Sequence, residues 1–158
     1  FRRSRGLGDV YKRQPVITAA PEQAGDPSLR ADTPSEAELE ALLQTWLDRK
    51  STVLRGADSA QELLQPIARA GLITQVKRQR AADQAAGVTQ NVEATIAFMR
   101  VVSRSPKRIE LRADVEYRDE TLNAAGAVVK RTKQQSLKRT YILGRDNGRW
   151  LLLDFRPG

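Results

Sequence analysis

The chain has 158 residues, enough for one domain with a real core, and it carries neither cysteine nor histidine. Disulfides, thiolate nucleophiles and thiolate metal sites are thereby excluded, and with histidine goes the side chain most used for acid–base work at neutral pH. The net charge is +8, but Phe1–Gln14 contributes half of it, and over the remainder 22 basic residues stand against 18 acidic ones.

That balance describes an ordinary solvated surface, so no nucleic-acid partner is expected. There is no run of 18 apolar residues, so nothing here reads as a membrane span. Phe1–Gln14 has no periodicity and reads as a non-native leader, to be set apart from fold reasoning. Residues 15–34 hold Pro15, Pro21, Pro27 and Pro34 among Ala, Gly, Asp, Ser and Glu, the composition of a disordered linker. A linker entering a domain predicts a further segment upstream, and the domain itself is expected over 35–158.

Ser35 followed by Glu38 has the spacing of a capping box. After it Leu39, Leu42, Leu43, Trp46, Leu47, Val53 and Leu54 recur at steps of three and four, which predicts an amphipathic helix of about five turns stopped by Gly56. Ser59 and Glu62 repeat the capping signal for a short second helix. A third is expected from near Pro66, burying Ile67, Ala70, Ile73 and Val76 and ending at Gly87.

From Val88 the period drops from 3.6 to 2. The clearest strand is Lys107–Arg118, where Ile109, Leu111, Ala113, Val115 and Tyr117 share one parity and the charged residues share the other. A strand before it runs from Val88 to Val102, and a long one after it from Ala127 to Arg145. Asn147-Gly148 marks a tight hairpin into the last strand, Arg149–Arg156. A two-residue loop sets Tyr141 opposite Asp154, Leu143 opposite Leu152 and Arg145 opposite Trp150. Apolar residues then fall on both faces, so this pair is expected to be central or covered twice. The sum is an α+β domain: three N-terminal helices packed on a curved four-stranded antiparallel meander, with the cone-like outline of the nuclear-transport-factor-two-like class.

Candidate binding residues follow from phase. Arg100 is in phase with Ile96 and Phe98, so a guanidinium is expected on the core face, where it can take a carboxylate in a bidentate fork; snorkelling at a strand end is the competing role. Asp154 facing Tyr141 inside a cone has the composition of a proton-transfer pair in a small isomerase or dehydratase, and equally of a hydrogen bond at a sheet edge. Trp46 and Trp150 read as core aromatics, with ligand stacking the competing role for either, and Trp46 is the one carried into the candidate site. Tyr117 shares the dry parity of its strand and completes the set Arg100, Tyr117, Tyr141, Asp154 and Trp46. The basic band of Lys130, Arg131, Lys133, Lys138 and Arg139 lacks interleaved aromatics and reads as a solvated sheet edge. No glycine-rich phosphate loop, metal-ligand spacing or nucleophile elbow is present, so no cofactor and no metal are expected.

One further signal spans most of the chain. The run Leu43-Gln44-Thr45-Trp46-Leu47-Asp48-Arg49-Lys50, followed by Tyr141-Ile142-Leu143 and Gly148-Arg149-Trp150-Leu151-Leu152, resembles the C-terminal IMS domain of the DnaJ-like plastid and cyanobacterial division proteins. The resemblance covers about Ser35 to Phe155. It implies a non-enzymatic domain that binds a partner protein or peptide of the division machinery in a cleft between helix and sheet. It also implies a position in the periplasm or plastid intermembrane space, reached through an upstream membrane segment, and leaves the oligomeric state open.

Overall fold

A computed structural model of the chain describes residues 26–158; the expected leader and the first part of the expected linker lie outside them. Helix α1 spans Glu36–Leu54 and begins at the capping box: the Ser35 hydroxyl accepts from the Glu38 N–H at 3.1 Å, and the Glu38 carboxylate accepts from the Ser35 N–H at 3.0 Å. It buries Leu39, Leu42, Leu43, Trp46, Val53 and Leu54. Helix α2 (Ala60–Leu64) follows, although the Ser59 side chain makes no capping bond.

Helix α3 spans Ala70–Ala85 and starts later than Pro66 would allow. The reason is tertiary. Ala68 bridges the last strand in parallel and Arg69 is extended, with the Leu152 N–H donating to the Ile67 carbonyl at 2.9 Å and the Arg69 N–H donating to the Leu152 carbonyl at 3.0 Å. Ile67 is fully buried in the turn before that bridge, not on a helical stripe.

The strands β1 (Thr89–Arg104), β2 (Arg108–Leu122), β3 (Val128–Asp146) and β4 (Arg149–Pro157) form one antiparallel sheet in the order β1-β2-β3-β4. Ile109, Leu111, Ala113 and Val115 of β2 are all buried against the helices, while Arg108 just before them and Arg112 among them are exposed. The alternation read from the sequence therefore places the core. Asn147 (φ 52°) and Gly148 (φ 76°) close the final hairpin in the left-handed region, as a two-residue loop of this hand requires.

Two register shifts overturn expected positions. In β1, Ile96 pairs with Val115 but Phe98 already pairs with Asp114, so Ala97 is an inserted residue. Beyond it Met99 and Val101 face the core opposite Ala113 and Leu111. Phe98, 57 % exposed, and Arg100 lie on the outer face. In β4 the pairs Leu143–Leu152 and Arg145–Trp150 stand as expected, but Leu153 is the extra residue, so Ile142 pairs with Asp154 and Tyr141 with Phe155.

The β3–β4 pair is not central, since β4 ends the sheet. Its free edge is covered instead. Residues 26–34, the described part of the expected linker, form a strap along it. The Trp150 N–H donates to the Leu29 carbonyl at 2.8 Å, the Trp150 indole Nε1–H to the Ala31 carbonyl at 2.9 Å, and Arg145 Nη2 to Asp32 Oδ1 at 2.6 Å. At the other edge Gln44 of α1 acts as a surrogate strand: its Nε2 donates to the Ala94 carbonyl and its Oε1 accepts from the Ile96 N–H, both at 3.0 Å.

Candidate functional site

Between α1 and the concave face of the sheet lies a cavity of about 320 Å³. Trp46, Lys50 and Leu54 come to it from α1, and Val92, Ala94, Val115 and Tyr117 from β1 and β2. Gln135, Leu137, Arg139 and Tyr141 of β3 and Phe155 of β4 complete most of the wall. Its floor is aromatic. Phe155 sits 6.2 Å from Trp46 and 6.0 Å from Tyr141, centroid to centroid, in tilted contacts.

Lys50 is four residues beyond Trp46 and so shares its helix face. Its Nζ lies 5.1 Å from the Phe155 ring centroid and 5.8 Å from that of Trp46, a cation held over two π faces. Burial, and then the nearby Arg139 charge, lower the Lys50 pKa from 10.5. No aspartate or glutamate lines the cavity, and Lys50 has no carboxylate partner among the described residues. The two tyrosines are held as neutral phenols. Tyr141 is pushed up to about 12 by burial. Tyr117 is raised further by burial and by donating its hydroxyl to Asp119 Oδ2 at 2.6 Å. The cavity therefore offers two cations and the Tyr141 phenol inside an apolar shell, the Tyr117 hydroxyl being taken by Asp119, and no acid lines it. What it can do is hold an acceptor-rich, negatively charged group that carries an apolar body.

Residues 40–153 match the model of the family "ARC6-like, IMS domain". The chain belongs to that family. The fold of this IMS domain is similar to the intermembrane space region of the chloroplast protein ARC6, at 14 % identity and a TM-score of 0.62, over 79 % of this chain and 97 % of that one. More distant in shape are CagV, a VirB8 homolog of the T4SS from Helicobacter pylori strain 26695 (13 % identity, TM-score 0.42, 73 % and 95 % coverage), and a Catenulispora acidiphila protein in complex with S-DNPA (18 %, 0.46, 77 % and 92 %). The comparison with curated proteins finds no match. Among the described residues no helix is long and apolar enough to cross a membrane, and no acidic cluster is arranged to hold a metal.

Of the five residues singled out by sequence, the IMS domain brings three to the cavity: Trp46, Tyr117 and Tyr141. Arg100 is not its floor. The inserted Ala97 turns Arg100 to the outer face, exposed, opposite Arg112. Asp154 does not meet Tyr141, because the extra Leu153 rotates it outward, where it is exposed and accepts from the Phe155 N–H at 2.9 Å. The proton-transfer pair expected from a regular register is therefore not assembled. Lys50, Arg139 and Phe155 were missed. Lys50 was findable, four residues past Trp46 on the helix, and Arg139 was in phase with Leu137 and Tyr141; Phe155 becomes visible only through the β4 bulge.

The buried ammonium has a measurable consequence. A lysine whose folded pKa lies below its unfolded value binds its proton less well in the folded state, so it costs stability at neutral pH. That cost is relieved as pH rises through the folded pKa toward 10.5. Lys50→Met is expected to raise stability at pH 7 by about 1 kcal/mol and to flatten the alkaline rise seen in the parent, measured by urea denaturation from pH 7 to 10.5. A variant less stable than the parent at pH 7 would show that the ammonium is adequately solvated.

Proposed function

We propose that this ARC6-like IMS domain is a non-enzymatic docking module that holds a segment of a division-machinery protein in the cavity between α1 and the sheet. The observation that carries this reading is Lys50, largely desolvated over an aromatic floor, with Arg139 on the wall beside it and no acid among the described lining residues. A desolvated ammonium without a counterion is costly unless a ligand supplies the negative charge. By analogy with the ARC6 region, the domain works in a periplasm or intermembrane space, tethered through an upstream membrane segment.

The test is recovery of partner from a cyanobacterial lysate on immobilised chain, followed by direct titration of the recovered protein. Lys50→Glu is expected to lower affinity at least tenfold, since it replaces an attraction with a repulsion. Arg100→Ala, on the outer face, is expected to leave it unchanged. Equal binding by the parent and Lys50→Glu, or loss on Arg100→Ala alone, would move the interface to the outer face of the sheet.

A further inference from the structure

We infer that the cavity between α1 and the sheet also takes a free medium-chain alkyl carboxylate, its head at Lys50 and Arg139 and its tail along the aliphatic wall. The inference goes beyond the docking reading, because it needs no partner protein and names a small-molecule occupant for the same space. The cationic end of the cavity is short of acceptors. Lys50 Nζ is held over the Trp46 and Phe155 rings and has no carboxylate partner among the described residues. Arg139 donates to the carbonyl of its own neighbour Lys138, at 3.3 Å, and has no acidic partner among the described residues. The Tyr141 hydroxyl makes no hydrogen bond within the same set. One carboxylate accepts from the ammonium and the guanidinium together, and so relieves a like-charge repulsion that no side chain lining the cavity relieves.

The rest of the lining selects the body of the ligand. Apart from its aromatic residues, the apolar wall is Leu47, Leu54, Val92, Ala94, Val115 and Leu137, all aliphatic. An alkyl tail packs on such a wall and gains about fourfold in affinity for each methylene buried. The volume sets its length. A cavity of about 320 Å³ holds about ten non-hydrogen atoms at the ~30 Å³ a water occupies in the liquid, which is the size of octanoate. A cationic amphiphile of the same length meets two positive charges and no acid, so the site discriminates by the sign of the head group.

The probe is sodium octanoate, titrated into the full chain below its micellar concentration and followed by the methyl shifts of Ala94, Val115 and Leu137. Saturable binding with a dissociation constant of about 1 mM or below is expected. Affinity is expected to rise about fourfold per methylene from hexanoate to octanoate and to level off beyond decanoate, once the cavity is filled. Octanol, which lacks the charge, is expected to bind at least tenfold more weakly, and octylammonium not to bind. Lys50→Met keeps the bulk of the side chain and deletes its charge. It is expected to weaken octanoate at least tenfold while octanol binds as well as before, a pattern that a misfolded variant does not give. No saturation, shifts confined to the outer face, equal affinity for octanol and octanoate in the parent, or full octanoate affinity in Lys50→Met would each overturn the inference. Octanoate that binds the cavity and displaces the partner recovered above supports both readings. If it binds there and leaves the partner in place, the carboxylate site stands and docking moves off the cavity. If it fails to bind while Lys50→Glu still weakens the partner, docking stands and the carboxylate site falls.

Discussion

Trp150→Ala is expected to cost about 3–5 kcal/mol, enough to unfold much of the population of a domain of ordinary stability. Trp150 is fully buried, and it is the residue at which strap, sheet and core meet. Its N–H and indole Nε1–H hold the Leu29 and Ala31 carbonyls, and the Arg145 guanidinium, which reaches Asp32, stacks 5.9 Å from its ring centroid. Truncation leaves a cavity under β4 and withdraws the indole contact that the strap makes. Trp150→Phe separates the two contributions: it keeps most of the packing and deletes only the indole donor, at about 1 kcal/mol. Urea denaturation gives both values, and amide exchange at residues 29–31 reports the strap. An alanine variant within about 1 kcal/mol of the parent would show that the strap and the core beneath it are independent of this side chain.

Val101→Asp and Phe98→Asp are expected to differ widely although the two positions are three residues apart on one strand. The inserted Ala97 places Val101 on the core face opposite Leu111, which is fully buried, and leaves Phe98 on the outer face. A carboxylate at 101 enters the partly buried core face, at about 2–3 kcal/mol, whereas at 98 it is solvated and costs no more than about 1 kcal/mol. The unbroken alternation of the sequence predicts the reverse, with Phe98 inside. Denaturant midpoints of the two variants decide between them. A severe loss at 98 with tolerance at 101 would remove the bulge, and would return Arg100 to the cavity side.

The same comparison shows how far local pattern reaches. The capping box, the helical stripe of α1, the strict alternation of β2 and the Asn147-Gly148 turn were legible because each is a short-range preference that neighbouring residues state without outside help. From these the order of elements, the fold class and the buried residues of β2 follow. A family resemblance added the expectation of a partner-binding role. Trp46 and Tyr141 were within reach for the same reason, being in phase with strong apolar stripes.

Positions beyond a bulge were not legible. One extra residue in a strand leaves almost no mark on the local pattern, yet it exchanges the faces of everything that follows, and whether it is extruded depends on which cross-strand pairs gain by it. Packing of Met99 and Val101 against β2 decided that Arg100 points to water; packing of Phe155 on Trp46 and Tyr141 decided the same for Asp154. The late start of α3 was likewise a choice by β4, whose edge took residues 67–69 as partners. By itself the sequence determined the elements, their order and one dry face. The tertiary structure decided which charged side chains share the cavity, because that depends on register between strands distant in the chain, where the energy lies in contacts no local window contains.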